Sequence, residues 1–355
     1  MTLTFPVLED FVYLNTPEQG LISQELKDYK TCFANQLASD PLFMMRKRGD
    51  FLEEVRRTVA HFLDSDYQFT ALTPNFSLAF NALLEKLPRS KRFLLIDGDY
   101  PSINYPVISM GFPTSYVPLC ADLEHQIWDA VKKHEPDFLC LSIVQYISGM
   151  KIDLDFLKDL KASFPDVIII ADATQYLGVE EFRFRESGID ILAASCYKWM
   201  HAGNGNAFMC FKEETVARLS EYFPHIEISE IRNQRGSFIG YFEPGHLDSV
   251  SFGALRKAIE LIDSYGIHKI SIAINKISSQ AKTAFASRNL IASEVLGRDV
   301  HSSIFNLKLS DEVLQDLLAV KILCCKRGDG IRVGFHYYNT TEDLDQFLNT
   351  IDRHL

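Results

Sequence analysis

Between residues 90 and 215 the chain alternates short, almost wholly apolar runs with stretches of helical periodicity. The apolar runs are Phe93–Asp97, Phe138–Val144, Val167–Asp172, Ile191–Ser195 and Ala207–Phe211. They are too apolar for a sheet with one wet face, which predicts strands covered by helices on both faces. Ser77–Leu87 and Asp155–Phe164 read as helices; in the latter Phe156, Leu157, Leu160 and Phe164 fall on one helical face. Strand and helix in alternation is the pattern of βαβ units and predicts an α/β fold with a mostly parallel sheet.

After about Gly245 the texture changes. Ser249–Tyr265 reads as one long helix stopped by Gly266, and Ile267–Ala286 as a second. The tail then offers a strand within Val300–Leu309, a helix at Asp311–Val320, strands at Ile322–Cys325 and Ile331–His336, and a last helix from about Thr341 to Arg353. Thr341-Glu-Asp suits the start of that last helix. This predicts a large domain over residues 16–248 and a smaller α+β domain over 249–355 joined by residues 1–15. Repeats, low-complexity tracts and Pro/Gly/Ser linkers are absent from the sequence.

The 355 residues suffice for a sizeable core without disulfides or metal. A formal net charge of −11, with acidic residues scattered, argues against nucleic acid or an anionic membrane as partner. An anionic ligand would therefore need a local positive site. The seven cysteines are odd in number, form no C-x-x-C and lie partly inside apolar runs, which points to buried free thiols and a reducing compartment. Met1–Asp10 carries neither a basic n-region nor a long apolar stretch, and no window reaches the roughly 18 apolar residues of a membrane span. The expectation is a cytoplasmic protein. The sequence has no G-x-G-x-x-G after a strand, no G-x-x-x-x-G-K-[ST] and no metal-ligand spacing among its ten histidines. Arg46-Lys-Arg48 reads as a solvated helix face.

Open α/β sheets bind ligands beyond the carboxyl ends of their strands. What stands there is Asp172-Ala-Thr-Gln175, then Ser195-Cys-Tyr-Lys198-Trp with Gly203-Asn-Gly205, and Asp97-Gly-Asp-Tyr100. Thr73-Pro-Asn-Phe76-Ser77 leads into a helix. A lysine, a carboxylate, an aromatic and a hydroxyl-bearing helix start are what pyridoxal 5′-phosphate (PLP) requires. The lysine forms an imine and moves protons, the carboxylate keeps the pyridine nitrogen protonated, and the helix N-terminus receives the phosphate.

With these residues the sequence resembles the class V aminotransferases, a family that also holds cysteine desulfurases, isopenicillin N epimerase-like proteins and kynureninase. The resemblance spans nearly the whole chain and is strongest in Ala171-Asp-Ala-Thr-Gln-Tyr-Leu-Gly178 and Ser195-Cys-Tyr-Lys-Trp199 with Gly203-Asn-Gly205. Weaker matches are Phe11–Asn15, Gln145–Gly149, Glu243-Pro-Gly-His246, Ile331-Arg332-Val333 and Tyr338-Asn339. It implies a fold type I PLP enzyme, a homodimer with its site between subunits, and an amino acid and a 2-oxo acid as substrates. Residue by residue it implies Lys198 as the Schiff-base lysine, Asp172 as partner of the ring nitrogen and Gln175 as partner of the phenolic oxygen. Ser195 and Tyr197 would contact phosphate together with the Phe76–Ser77 helix start. Tyr100 would stack on the ring, and Arg332 would pair with the substrate α-carboxylate.

The chain departs from the family pattern at four places. Tyr197 replaces a histidine before the lysine, and His246 stands where a partner subunit commonly supplies a threonine to the phosphate. Phe76 interrupts a run of small residues, and Tyr146 replaces an asparagine over the ring; Tyr146 and Gln145 read as structural. Desulfurases need a nucleophilic cysteine on a mobile loop, whereas Lys326–Arg332 has no cysteine and Cys324 and Cys325 precede it on an expected strand. Transamination is therefore the leading reading. Epimerase-like racemisation, β-lyase or desulfurase chemistry, and a PLP-binding regulatory homologue are the alternatives.

Overall fold

A computed structural model describes residues 3–40, 42–223 and 238–355. Residues 1–2 of the expected small domain, and residues 41 and 224–237 of the expected large one, lie outside the described residues. Seven strands form one sheet: β1 (Thr70–Thr73), β2 (Phe93–Ile96), β3 (Thr114–Val117), β4 (Phe138–Ser142), β5 (Ile168–Asp172), β6 (Ile191–Ser195) and β7 (Ala207–Phe211). Their order is β1-β7-β6-β5-β4-β2-β3. All pairings are parallel except those of β7, which runs against both β1 and β6. The carboxyl ends of β1, β2, β4, β5 and β6 therefore open on one edge of the sheet.

Both faces are covered, as the apolar runs predict. Alternate strand residues enter opposite clusters: Leu94, Leu139, Ile169 and Leu192 pack with Val59, Leu157 and Leu255. Leu95, Cys140, Ile170 and Ala193 pack with Phe80, Leu84 and Val107 on the other side. The latter side is built by helices α1 (Phe76–Lys86) and α2 (Pro101–Ser109). Helix Ser249–Tyr265, capped by the Asp248 carboxylate on Val250 N–H and Ser251 N–H, buries Phe252, Leu255 and Ile259 in the first cluster. Near the C-terminus β8 (Ile304–Leu307), β9 (Cys325–Arg327) and β10 (Gly330–Gly334) make an antiparallel sheet in the order β9-β10-β8. The last helix, Thr341–Ile351, starts at the expected Thr341 and is preceded by a capping box between Thr340 and Asp343.

Periodicity did not reveal β1, β3 or the helices Gln24–Ser39 and Phe43–Leu63. β3 is an edge strand whose Thr-Ser-Tyr-Val is only partly buried, so it lacks the apolar run that marks central strands. Arg46 and Lys47 are exposed on the helix Phe43–Leu63. All seven cysteines are free; Cys140, Cys196, Cys210 and Cys324 are buried. Among the described residues no helix is long and apolar enough to cross a membrane.

The turn after β6 is clamped from below. His201 Nδ1 must donate to Leu21 O at 3.0 Å, because a carbonyl only accepts. His336 Nδ1 accepts Tyr337 N–H at 2.8 Å, so its Nε2 carries the proton directed at His201 Nε2 and Trp199 O, both at 3.2 Å. Every ring nitrogen of this buried pair is satisfied only while both rings are neutral. Burial holds His201 down at about 4 and His336 well below its ordinary value. In the unfolded chain histidine protonates near pH 6.5. Stability is thus fully present above that pH and is lost as the pH falls toward the folded values. For His201 alone the loss is about 3 kcal/mol. We expect the melting temperature to drop between pH 7 and pH 5, and to drop less in His201→Gln; an equal drop in both proteins would refute this origin.

Candidate active site

The strand ends converge on a cavity of about 200 Å³ lined by residues from five segments of the chain. Its lining includes Phe76, Ser77, Tyr100, Asp172, Gln175, Ser195, Tyr197 and Lys198, all named from sequence. Asn75, Ser142 and Thr174, which sequence reasoning passed over, line it too.

Lys198 and Asp172 are both buried. Burial lowers the Lys198 amine below its ordinary value; the negative charge of Asp172 opposes this, and Arg332 reinforces it. Burial likewise raises the Asp172 carboxyl, against hydrogen bonds from Thr174 and the charge of Lys198. Thr174 N–H donates to Asp172 Oδ1 at 2.8 Å. A lysine so placed is a neutral nucleophile for a larger fraction of the time near pH 7 than a surface lysine. Its backbone is boxed in: Gly20 N–H donates to Tyr197 O at 3.0 Å. A Cβ on Gly20 would stand 1.9 Å from Lys198 O, so only glycine allows the N-terminal segment to lie on this turn.

At the start of α1, Asn75 Oδ1 accepts Leu78 N–H and Ser195 Oγ accepts Phe76 N–H, each at 2.9 Å. The Phe76 amide, expected to serve a phosphate, donates here to the Ser195 hydroxyl. The amide left in the first turn without a protein acceptor among the described residues is that of Ser77. Ser77 Oγ donates to Ser102 Oγ at 2.8 Å. Ser195 N–H donates to Thr174 Oγ1 at 3.0 Å, and the Ser195 hydroxyl, an acceptor toward Phe76 N–H, keeps its own proton for another partner. An open amide, serine hydroxyls and a helix N-terminus thus meet at one end of the cavity.

Gln175 is held on both sides. Its Nε2 donates to Pro17 O at 2.8 Å and its Oε1 accepts Trp199 Nε1–H at 2.7 Å. One Nε2 hydrogen remains for a ligand. Tyr100 and Tyr146 meet edge to face with centroids 5.1 Å apart. Lys198 Nζ lies 5.7 Å from the Tyr100 ring centroid and 5.5 Å from that of Tyr197. The Tyr100 backbone is fixed through Asp99, whose carboxylate accepts Tyr100 N–H, Ser142 N–H and Ser142 Oγ–H, each at 2.7 Å. Gln145 stands where the sequence reading put it, in a structural role: its Oε1 accepts Ile147 N–H and Ser148 N–H.

Two expected residues lie outside the cavity. His246 lines a separate concavity with Pro74, Leu78 and Phe242. Arg332, on β10, is buried beside the site and reaches Glu18 and the Tyr146 carbonyl rather than the cavity itself. Among the described residues no group of histidine, cysteine or acidic side chains is arranged to hold a metal ion.

The family described as "Aminotransferase class-V" matches residues 18–347. An uncharacterised aminotransferase of Bacillus subtilis is 22% identical over 84% of this chain and 82% of its own length. A probable cysteine desulfurase of Ureaplasma parvum is 23% identical over 97% and 93%. Among solved structures, the apo cysteine desulfurase of Thermococcus onnurineus NA1 is similar with a TM-score of 0.83 at 15% identity, covering 100% of this chain and 98% of that one. A mutant of the cystine C–S lyase C-DES, with glycine covalently linked to its PLP cofactor, also has a TM-score of 0.83, at 16% identity and 98% coverage of both chains.

Proposed function

Within the aminotransferase class-V family of PLP-dependent enzymes, to which this chain belongs, we propose that it transfers an amino group between an amino acid and a 2-oxo acid. The residues present fit the cofactor. The first turn of α1 leaves one backbone amide open, at Ser77, beside the hydroxyls of Ser77 and Ser195. A buried amine and a buried carboxylate share the same cavity. Bound PLP supplies an aldehyde carbon that condenses with amines and a protonated ring that accepts negative charge from the substrate α-carbon.

The chain's own residues do the rest. Ser77 N–H and the Ser195 hydroxyl would hold the phosphate together with Tyr197, and the Ser77 hydroxyl would join them by turning from Ser102 Oγ. The free Nε2 hydrogen of Gln175 serves the phenolic oxygen, and Tyr100 offers an aromatic face. Asp172 keeps the ring nitrogen protonated. Lys198 would hold the cofactor, and its amine, when free, would carry the proton of the substrate α-carbon. Arg332 is the partner of the substrate carboxylate. His246 stands outside the cavity and would contact the phosphate only across a homodimer. The free cysteines suit the cytoplasm.

Transamination is favoured over sulfur transfer by one observation. Cys325, the thiol nearest Arg332, belongs to β9 and is paired in register with Arg332 on β10. Cys324 beside it is buried. A sulfur acceptor must travel to the substrate, and a strand residue in a hairpin does not. The test is the half-reaction. The PLP-loaded enzyme is mixed with a panel of amino acids, stoichiometric pyridoxamine phosphate is sought, and 2-oxo acids should reverse the conversion. Sulfide from cysteine that disappears in Cys325→Ser would replace this reading with a desulfurase. Racemised product without the amine form would replace it with an epimerase-like enzyme.

A further inference from the structure

Arg332 is only 1% exposed, and the protein leaves one of its guanidinium donors without an acceptor. Nη1 donates to Tyr146 O and Nη2 to Glu18 Oε2, both at 2.7 Å, while the buried Nε has no partner. Glu18 is held at the same time by a second arginine. Arg327 Nη2 donates to Glu18 Oε1 at 2.6 Å and Oε2 at 2.5 Å, and Arg327 Nε to Oε2 at 3.2 Å. The two arginines belong to one hairpin, β9 and β10. Glu18 comes from the N-terminal segment that Gly20 seats on the Lys198 turn. Burial works to raise the Glu18 carboxyl, but the hydrogen bonds and charges of Arg327 and Arg332 outweigh it and keep the group below the usual carboxylate range.

Two guanidiniums and one carboxylate leave a single positive charge for a ligand. Arg327 has spent its fork on Glu18. Arg332 has an unpartnered Nε, and its neighbouring Nη2, now on Glu18 Oε2 with Cys325 Sγ 3.6 Å away, is freed for one incoming carboxylate when Glu18 rests on Arg327 alone. A substrate with a second carboxylate would have to place it against Glu18, and like charges in contact across an interface are strongly disfavoured.

We propose that Glu18 restricts the substrate to amino acids and 2-oxo acids with a single carboxylate, by standing on Arg327 where a second carboxylate would otherwise pair. This rests on the reading of Arg332 as the α-carboxylate partner. Glu18 is a built-in counterpart of the missing second carboxylate, and its removal uncovers a second anion site.

The test compares butanoate and glutarate as unreactive probes of the PLP-loaded full chain, by calorimetry and by inhibition of turnover. Wild type should bind butanoate more tightly than glutarate. Glu18→Gln, which keeps the side-chain volume, should raise the glutarate-to-butanoate affinity ratio about ten-fold or more. That gain should vanish in the Glu18→Gln/Arg327→Gln double variant. The proposal is overturned if wild type prefers glutarate or binds neither probe, if the ratio is unchanged in both Glu18→Gln and Glu18→Ala, or if the gain survives loss of Arg327. Arg332→Lys and Arg332→Gln form the separate arm. Unchanged affinity for both probes there sinks the assignment of Arg332 itself, and the proposal with it. Weakened binding of both, with no effect of Glu18, sinks only the proposal.

Discussion

Replacing Lys198 with alanine should leave a folded chain that no longer holds PLP covalently and turns over at least about 10³-fold more slowly. The fold should survive because Lys198 is a buried amine whose charge the interior disfavours: burial is the largest influence on it and lowers its proton affinity. Its removal relieves that penalty but also takes from Asp172 the positive charge that offsets burial, so the two effects oppose each other and the cofactor-free variant should still melt as a cooperative, folded protein. Two other part-buried lysines are occupied elsewhere. Lys151 is paired with Glu180, and Lys161 sits 2.8 Å from Asp190. Borohydride reduction of the PLP-loaded wild type, followed by peptide mapping, should therefore label Lys198. A pyridoxyl group on any other lysine, or an unimpaired alanine variant, ends the assignment.

The residues around Lys198 were legible because each stands within a few positions of a strand end, where a short apolar run announces the strand and the next polar residues announce the site. Asp172 closes β5, Ser195 closes β6, and Ser77 opens α1, so one sheet edge brings together what the chain keeps far apart. What stayed hidden depends on three-dimensional pairing that carries no local signal. Glu18 and Arg332 are 314 positions apart, and nothing about Thr-Pro-Glu-Gln says which arginine it meets. The commitment of the Phe76 amide to Ser195 Oγ likewise joins residues 119 positions apart. Asp99 was quoted in Asp97-Gly-Asp-Tyr100 without a role, because its function is to tie Ser142 to Tyr100. Edge strand β3 escaped for a different reason: a half-wet strand need not be apolar.

Asp172→Asn should retain PLP yet lose turnover by about 10²–10³-fold, the second large effect expected at this site. Asparagine is nearly isosteric, and its Oδ1 can still accept Thr174 N–H, the contact that fixes the side chain at 2.8 Å in the native protein. Packing at the end of β5 is therefore kept, and only the charge is lost. A carboxylate about 4 Å from a protonated ring nitrogen, at an effective dielectric of about 20, is worth about 4 kcal/mol, or roughly three pKa units on that nitrogen. Without it the ring loses its proton near neutrality and no longer draws charge from the α-carbon. Burial raises Asp172 in the absence of such a cation, while the positive charge of Lys198 already pulls it back down. A ring cation in the same cavity acts in the same direction as Lys198, so cofactor binding and ionisation of Asp172 reinforce each other. Wild-type turnover should accordingly fall on the acid side as Asp172 takes up a proton, and the asparagine variant should lose that acid limb while remaining slow throughout. The measurement is the pH profile of kcat in both proteins at equal PLP occupancy. A variant that binds PLP and matches wild type, or one whose acid limb persists unchanged, would remove Asp172 from the role assigned to it.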